Sequence, residues 1–319
     1  MDSYKELLIK AATYQYPEQI PVSIGILPAA FIKYGDRLKD ITFKYEELFR
    51  GGYKNYDPYE NLSPSYREGQ ITDAWGCVWH NTLEGQESIV TEHPVKTRAD
   101  VHTMKVPDND AGLPHGFMYL RLLDLRGFEE IMVDFAEEPP ELQMLIDKVL
   151  NYNLGQVKKM LEKNKDKMVF FGDDLGMQKG LAIGAAKWRK YLKPCYAAVY
   201  KLCKDDNRLV YMHTDGCIHE IMQDLQECGV DMINPQYRAN GLDNLERVCK
   251  GKIPINLDLD RQLFPFGTPA DMRSHVEECV KRLYLPEGGL GLSLEVGPEE
   301  SVENIDALFG AVNEFKFYG

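Results

Sequence analysis

The sequence predicts a single (β/α)8 TIM barrel of the α/β class, with an N-terminal elaboration over the barrel mouth. In the second half of the chain, short apolar runs alternate with amphipathic patterns whose apolar residues recur every three or four positions. Polar or ionisable side chains follow these apolar runs, as expected where parallel strands end at an active site. No linker or repeat divides the chain. We therefore predict one domain over residues 1–319, with the elaboration and first strand in 1–115 and regular βα units in 116–319.

The first half of the chain supplies fewer regular elements. Residues 20–27 are expected to form the first strand, and residues 142–161 a long helix that follows a pair of prolines. The stretch 30–115 is less regular. Its Gly51-Gly52 pair, its tyrosines and the alternating run at 75–79 indicate the elaboration.

The second half carries five further strands. Each is a short apolar run, and amphipathic helical patterns separate them, which is typical of parallel βα units. The predicted strands are at residues 168–171, 209–212, 230–233, 253–257 and 291–294.

Composition excludes several classes of function. Fifty acidic residues against 37 basic ones give a formal net charge of −13, which disfavours binding to nucleic acid or anionic membranes. The seven cysteines include no CxxC pair, so we expect neither a disulfide framework nor a zinc ribbon. No apolar run is long enough for a membrane span or a signal peptide. We therefore expect a cytoplasmic protein, for which a homodimer would be unsurprising.

Candidate functional residues lie where the predicted strands end. His213 and Asp215 are two positions apart in an extended segment, so their side chains point to the same side. Together with Glu295 they form an acceptable set of zinc ligands. Asp173 and Asp174 are candidates for general acid–base catalysis or for holding a substrate hydroxyl, although Asp173 and Asp215 are equally suited to capping a helix.

Cys217 has two readings, as a reactive thiolate and as a small buried apolar side chain, and the second is favoured. The sequence contains no GxxxxGK[ST] phosphate loop, no GxGxxG after a strand, no GxSxG and no HExxH.

A series of short motifs also runs through the chain from position 116 onward. The motifs are Leu125-Arg126-Gly127-Phe128-Glu129, Asp134 with Glu138-Pro139, Gly172-Asp173-Asp174-Leu175-Gly176, His213-Thr214-Asp215-Gly216, the stretch 227–235, Gly267-Thr268-Pro269 and Glu303-Asn304-Ile305. In this order they resemble the uroporphyrinogen decarboxylase superfamily, particularly its corrinoid-dependent methyltransferase branch. The Trp75-Gly76 run is similar to the N-terminal region of that family.

Two departures from the family pattern bear on function. Decarboxylases of this superfamily carry an Arg-Gln-Ala-Gly-Arg run after the first strand, where this chain has residues 24–28, Ile-Gly-Ile-Leu-Pro. Thiol methyltransferases of the branch use a His-x-Cys pair and a second cysteine as zinc ligands. Here those cysteines are replaced by Asp215 and by Leu294, which precedes Glu295. The resemblance therefore disfavours porphyrinogen decarboxylation and implies a zinc site without thiolates.

Oxygen ligands leave more positive charge on zinc than thiolates do, which suits an oxygen leaving group. With the resemblance, this implies transfer of a methyl group from a methoxylated substrate, aromatic compounds included, to cob(I)alamin on a partner corrinoid protein. His213, Asp215 and Glu295 would hold zinc, and Asp173 or Asp174 would act in catalysis. We expect Trp75, Gln178 and Asn234 to contact the substrate.

Three alternatives stay open. The first is a metal-free decarboxylase or lyase of the uroporphyrinogen decarboxylase type, in which Asp173 or Asp174 donates a proton. The second is a methylcobamide:thiol methyltransferase. The third is a module that binds a corrinoid protein or a tetrapyrrole and has lost catalysis. Zinc content and transfer of methyl groups to cob(I)alamin distinguish the three.

Overall fold

The computed structural model describes residues 3–49, 53, 55–60, 62–108 and 113–318. Gly51 and Gly52 of the predicted elaboration lie outside the described residues. The chain forms two compact units, each assembled from separate stretches of sequence. The first unit comprises Met1–Gly69, His80–Ser88 and Gln236–Gly319, and the second comprises Gln70–Trp79 and Ile89–Pro235. One domain over residues 1–319 stays a prediction.

The described residues form strands and helices in alternation over most of the chain. The strands are β1 (Val22–Ile26), β2 (Gly69–Thr72), β3 (Val78–Asn81), β4 (Ile89–Glu92), β5 (Met168–Gly172), β6 (Leu209–Thr214), β7 (Met232–Pro235), β8 (Ile255–Asp258) and β9 (Leu290–Val296). The α-helices are α1 (Tyr4–Ala12), α2 (Pro28–Tyr34), α3 (Asp36–Lys44), α4 (Glu46–Phe49), α5 (Asp100–Thr103), α6 (Tyr119–Arg126), α7 (Phe128–Glu137), α8 (Pro140–Lys163), α9 (Gly184–Tyr191), α10 (Lys193–Asp205), α11 (Met222–Glu227), α12 (Tyr237–Asn240), α13 (Leu242–Cys249), α14 (Pro269–Leu283) and α15 (Val302–Phe315).

In the first unit, three parallel strands pair in the order β1-β9-β8. Ile24 of β1 lies opposite Leu294 of β9, and Leu292 of β9 lies opposite Leu257 of β8. These leucines are at most 1% exposed, as expected for parallel strands covered on both faces. Helices α14 and α15 pack against each other in the same unit.

In the second unit, three parallel strands pair in the order β7-β6-β5. Met212 of β6 lies opposite Phe171 of β5 and Ile233 of β7, and all three side chains are buried. Helix α10 packs on both β6 and the long helix α8. This packing fixes the C-terminal ends of the strands, from which the candidate site is built.

The predicted strands and the long helix are confirmed, with ends that shift by no more than two residues. The alternating run at 75–79 contains a turn and the start of a strand. The side chain of Asp73 accepts hydrogen bonds from the backbone N–H groups of Trp75 and Cys77, both at 2.9 Å, so this segment forms a turn and β3 begins only at Val78.

The described part of the chain contains six parallel strands, three in each unit, which is two fewer than an eight-stranded barrel has. Residues 113–118 run beside β5, where the N–H of Gly116 donates to the carbonyl of Gly172 at 2.8 Å. Gly116 has a φ of +73°, which interrupts the extended backbone and prevents a regular ladder there. The position of the elaboration over the barrel mouth stays a prediction.

Among the described residues, no helix has both the length and the apolar character that crossing a membrane requires.

Candidate functional site

Two loops of the second unit cross where β5 and β6 end. The N–H of Gly176 donates to the carbonyl of Asp215 at 3.1 Å, and the N–H of Cys217 donates to the carbonyl of Met177 at 2.8 Å. A Cβ atom on Gly216 would lie 2.1 Å from the carbonyl group of Gly176, so only glycine permits this backbone approach. The crossing holds the two loops at a fixed distance from each other.

Asp173 follows β5 and is completely buried. Its carboxylate accepts hydrogen bonds from the backbone N–H groups at positions 118, 119 and 120, at 2.6 to 3.0 Å, and from the hydroxyl of Tyr196 at 2.7 Å. Burial raises the pKa of Asp173 above its usual value, although the hydrogen bonds from Leu120, Tyr196 and Tyr119 act in the opposite direction. The carboxylate therefore ties the end of β5 to the start of α6, which is the role of a helix cap.

Asp174, the next residue, lies in a cluster with two histidines. Its Oδ2 atom is 3.2 Å from Nε2 of His115, and its Oδ1 atom is 3.8 Å from Nε2 of His213. The N–H of Asp215 donates to Oδ1 of Asp174 at 3.0 Å and fixes the carboxylate. One ligand atom from each of His115, Asp174 and His213 lies within 4.8 Å of the other two, which places three metal-ligating groups around one point.

Asn234, at the end of β7, orients the imidazole of His213. The side-chain oxygen of Asn234 lies 2.7 Å from Nδ1 of His213. Nδ1 therefore carries the proton and donates a hydrogen bond to this oxygen. The lone pair of neutral His213 is then on Nε2, which faces Asp174 and also lies 3.3 Å from Oδ1 of Asp215. Asn234 is buried, and its contact with His213 is the fixed partner that metal-binding histidines commonly have.

The pKa values of the cluster reflect mutual attraction of opposite charges. Burial lowers the pKa of His213, but the hydrogen bond and charge of Asp215 outweigh burial and raise the pKa to about 9. Burial also lowers the pKa of His115, and its contact with Asp174 outweighs that effect, so the pKa lies above its usual value. Burial raises the pKa of Asp174, but hydrogen bonding and the charge of His115 hold the pKa below its usual value.

His115 is the member of the cluster that was not predicted from the sequence. It stands in an irregular segment before α6, next to the edge of β5, and its ring centroid is 5.5 Å from that of His213. Neither periodicity nor motif spacing marks it, because its position depends on pairing between residues 116 and 172. A histidine directly before Gly116, where the family motifs begin, is the signal that points to it.

The structure brings together four of the predicted residues, namely Asp174, His213, Asp215 and Asn234. The predicted metal ligand Glu295 lies in the first unit, at the end of β9. There Oε1 of Glu295 is 3.2 Å from the guanidinium of Arg261, which also pairs with Asp258 at 3.0 Å. Glu295 is therefore engaged in an ion pair, and the metal-ligating cluster of the second unit is formed by other residues.

Trp75 and Gln178 are the two remaining predicted substrate contacts. Trp75 is 7% exposed and packs edge-on against Tyr152, with the guanidinium of Arg121 5.7 Å from its ring. Its role is in the core of the second unit. Gln178 is exposed on the loop after β5, and no hydrogen bond of its side chain is found among the described residues.

Cys217 does not behave as a reactive thiolate. Its side chain is 5% exposed, its Sγ atom lies 3.3 Å from Nδ1 of His219, and burial raises its pKa. The thiol is therefore the stable form near neutral pH.

The donor set of the cluster has a defined chemical preference. Two imidazole nitrogens and a carboxylate oxygen, with a further carboxylate at Asp215, are ligands that zinc accepts, and other divalent first-row metals bind similar sets. Side-chain exposures of 28% for Asp174 and 41% for His115 leave one side of the cluster accessible. The arrangement can hold a Lewis-acidic metal whose accessible side is open to solvent.

Comparison with known proteins places the chain in a family. The sequence profile described as "Uroporphyrinogen decarboxylase (URO-D)" matches residues 122–315, more than half of the chain. No protein with a curated description matches the sequence significantly.

Among solved structures, one described as a "methyltransferase from Methanosarcina mazei" has a TM-score of 0.67, 15% sequence identity, and coverage of 99% of this chain and 99% of that one. This full-length similarity, with the family match, confirms the α/β fold of TIM-barrel type. Two Xanthomonas albilineans dihydropteroate synthase structures reach TM-scores of 0.32 and 0.33 at 12% identity, over 48% and 50% of this chain and 54% and 57% of theirs. Similarity at that level supports no inference.

Proposed function

Because the chain belongs to the uroporphyrinogen decarboxylase family, we propose that it is a methyltransferase that moves a methyl group from the oxygen of a methoxylated compound to a corrinoid. The cluster of His115, Asp174 and His213 is the observation that carries this proposal. The full-length likeness to a methyltransferase from Methanosarcina mazei supports the same class of reaction. The acceptor is cob(I)alamin bound to a partner protein.

A zinc ion fits the cluster because its donors are imidazole nitrogen and carboxylate oxygen. His115, Asp174 and His213 would hold it, with Asp215 as the nearby fourth donor. Bound zinc supplies Lewis acidity, which neutralises negative charge on an oxygen atom of the substrate. Since the cluster contains no thiolate, more of the charge of the metal is available to that oxygen.

The residues of the chain have separate tasks in this reaction. Asn234 keeps the Nε2 lone pair of His213 directed at the cluster, and the N–H of Asp215 orients Asp174. Asp173 holds the start of α6 in place, and we assign it no part in proton transfer because it is completely buried and already accepts four hydrogen bonds. This assigns Asp173 a structural role and leaves Asp174 as the catalytic carboxylate of the pair.

The electron balance of the step is simple. The methyl carbon–oxygen bond breaks, and its electron pair stays on oxygen, which leaves as an alkoxide or phenolate. The two electrons of the new bond to carbon come from cobalt(I) on the partner protein. The leaving oxygen therefore has to be neutralised in the transition state, which is the purpose of a metal site with an accessible side.

A metal-free lyase is the second candidate, and one observation favours it. Without a metal, the hydrogen bond and charge of Asp215 raise the pKa of His213 to about 9, so this imidazole carries a proton beside Asp174 at neutral pH. Contact with Asp174 also raises the pKa of His115. A protonated imidazole beside a carboxylate forms a proton-donating site, as decarboxylation of a small acid requires.

Elemental analysis of the purified protein separates the two candidates. We expect close to one zinc per chain, lost in His115→Ala, Asp174→Asn and His213→Ala. His102→Ala is the matched control, because His102 is exposed and lies 3.7 Å from Glu141 rather than in the cluster. The wild-type protein should also methylate reduced cobalamin from a methoxylated donor, followed by the absorption change of the cobalt centre. A metal-free protein with full activity on a carboxylic acid would refute the methyltransferase.

A further inference from the structure

A groove of about 490 Å3 lies in the second unit, between α7 and the segment that joins β5 to α9. This volume is within the range of sites that bind small molecules. Most of its lining is apolar, with Phe128, Met132, Phe135, Ala136, Met177 and Ile183, and Lys187 also lines it. Among these side chains, Lys187 is the one that ionises.

The groove exposes apolar surface to an unusual degree. Phe128 is 49% exposed and Met177 is 51% exposed, although both are large apolar side chains. Exposed apolar residues that are clustered around a concavity mark a binding site more often than isolated ones do. Methionines are also adaptable, since their unbranched side chains adjust to the shape of a flat ring.

Lys187, at the polar end of the groove, belongs to a cluster of three charged side chains with one positive charge in excess. The amino groups of Lys187 and Lys190 both bind the carboxylate of Glu138, the second at 2.6 Å, so two positive charges face one negative charge. This local excess of one positive charge occurs in a chain whose formal net charge is −13. A carboxylate is the group that this end of the groove complements.

The groove is also connected to the metal-ligating cluster through the backbone. Met177 lines the groove, and its carbonyl accepts the N–H of Cys217 at 2.8 Å. The preceding Gly176 donates to the carbonyl of Asp215, whose side chain lies 3.3 Å from His213. The loop that carries Asp174 thus continues directly into the wall of the groove.

We propose that this groove binds the ring of an aromatic carboxylic acid, with the carboxylate directed to Lys187, and that methoxylated aromatic acids are the substrate class of the enzyme. The identification of this ligand as substrate rests on the proposed methyltransferase function. The binding site itself rests only on the shape, apolar lining and charge of the groove.

Direct binding measurements test the site without any corrinoid. Titration calorimetry with three compounds separates the contribution of the carboxylate from that of the ring. The compounds are 4-methoxybenzoate, its neutral amide 4-methoxybenzamide, and methoxyacetate, which has no ring. We expect 4-methoxybenzoate to bind about fivefold more tightly than the amide, because a partly exposed ion pair contributes modestly. Methoxyacetate should bind at least about tenfold more weakly, since it leaves the apolar lining uncovered.

Two substitutions on the exposed side of α7 provide a matched pair. Ala136 lines the groove, whereas Val133 is exposed on the same helix and does not line it. Ala136→Trp should raise the Kd for 4-methoxybenzoate about tenfold or more, and Val133→Trp should leave it within about twofold. Lys187→Gln should abolish the preference for the acid over the amide.

Each outcome has a distinct meaning. Equal Kd values for 4-methoxybenzoate in Ala136→Trp and Val133→Trp would overturn the proposed site. An unchanged Kd in Ala136→Trp together with lost methyl transfer would also overturn it, because the groove would then serve the partner protein. Tight binding that Ala136→Trp weakens, without methyl transfer from any methoxylated donor, would leave the site standing and refute the methyltransferase instead.

Discussion

His115 occupies space that exists only because residue 172 is glycine. A Cβ atom at position 172 would lie 2.3 Å from Nδ1 of His115, well inside van der Waals contact. Gly172 is the last residue of β5 and also pairs with the backbone of Gly116, which holds the strand in place, so an added methyl group would have to displace the imidazole. The glycine thus ties the end of a strand to the geometry of the metal-ligating cluster.

We expect Gly172→Ala to reduce zinc binding strongly while the protein stays folded. The added methyl group displaces His115 from Asp174, which removes one ligand and shifts another. Zinc content measured after dialysis, with circular dichroism to check folding, tests this. Gly25→Ala is the control, because a Cβ atom at this other strand glycine meets its nearest neighbour at 3.4 Å. Full zinc content in Gly172→Ala would show that His115 is not a ligand.

The hydrogen bond from His213 to Asn234 is expected to govern metal affinity. Asn234→Ala removes the acceptor at 2.7 Å and lets the proton of neutral His213 move to Nε2, the atom that faces Asp174. Loss of such a partner weakens metal binding by about 10–100-fold. Competition with a zinc chelator measures the change. Asn234→Asp keeps an oxygen acceptor in the same place and should restore the affinity; failure to do so would contradict this role.

Asp173 is expected to matter for stability rather than for catalysis. Asp173→Asn leaves buried N–H groups of α6 without a charged acceptor, and we expect a loss of about 2–4 kcal/mol in the free energy of unfolding. Urea denaturation measures this loss. Asp271→Asn, which changes an exposed capping box at α14, should cost less. A stable but inactive Asp173→Asn variant would contradict this prediction and indicate that Asp173 acts in catalysis.

The buried His275 predicts a stability loss in mild acid. Burial lowers its pKa to about 4, and its Nε2 atom accepts the N–H of Asp260 at 3.0 Å, so the folded protein holds the neutral ring. The unfolded chain binds a proton below a pH of about 6.5, so the contribution of His275 is complete above that pH and is lost as the pH falls toward 4.

Comparison of wild type with His275→Gln measures this contribution. Between pH 7.5 and pH 5, the wild-type free energy of unfolding should fall by about 2 kcal/mol more than that of His275→Gln. The carboxylates titrate in both proteins, so their contributions to the free energy of unfolding cancel in the difference. Identical pH dependence in the two proteins would mean that His275 is not held neutral.

Much of the fold was predictable because buried parallel strands have continuous apolar sequences. The runs that became β5, β6, β8 and β9 are continuous, apolar and followed by polar residues, so their ends were placed to within two positions. The alternating run at 75–79 does not by itself define a strand, because alternation of apolar residues also occurs in a turn when a side chain such as Asp73 satisfies the backbone.

The site was predictable in part. Asp174, His213, Asp215 and Asn234 lie at or just after the ends of strands that neighbour one another in the sheet of the second unit, and parallel strands bring their C-terminal ends together. Glu295 also lies near the end of a strand, but it forms an ion pair with Arg261, and no periodicity reveals which ionisable side chain pairs with an opposite charge.

By itself, the sequence determined the α/β class, the positions of the strands and the type of side chain at their ends, since local patterns of apolar residues suffice for these. Tertiary structure alone decided that Asp173 caps α6 while Asp174 faces two histidines, and that His115 joins them. These outcomes depend on contacts between residues about 55 and 100 positions apart, such as Asp173 with Tyr119 and His213 with His115, which no local pattern encodes.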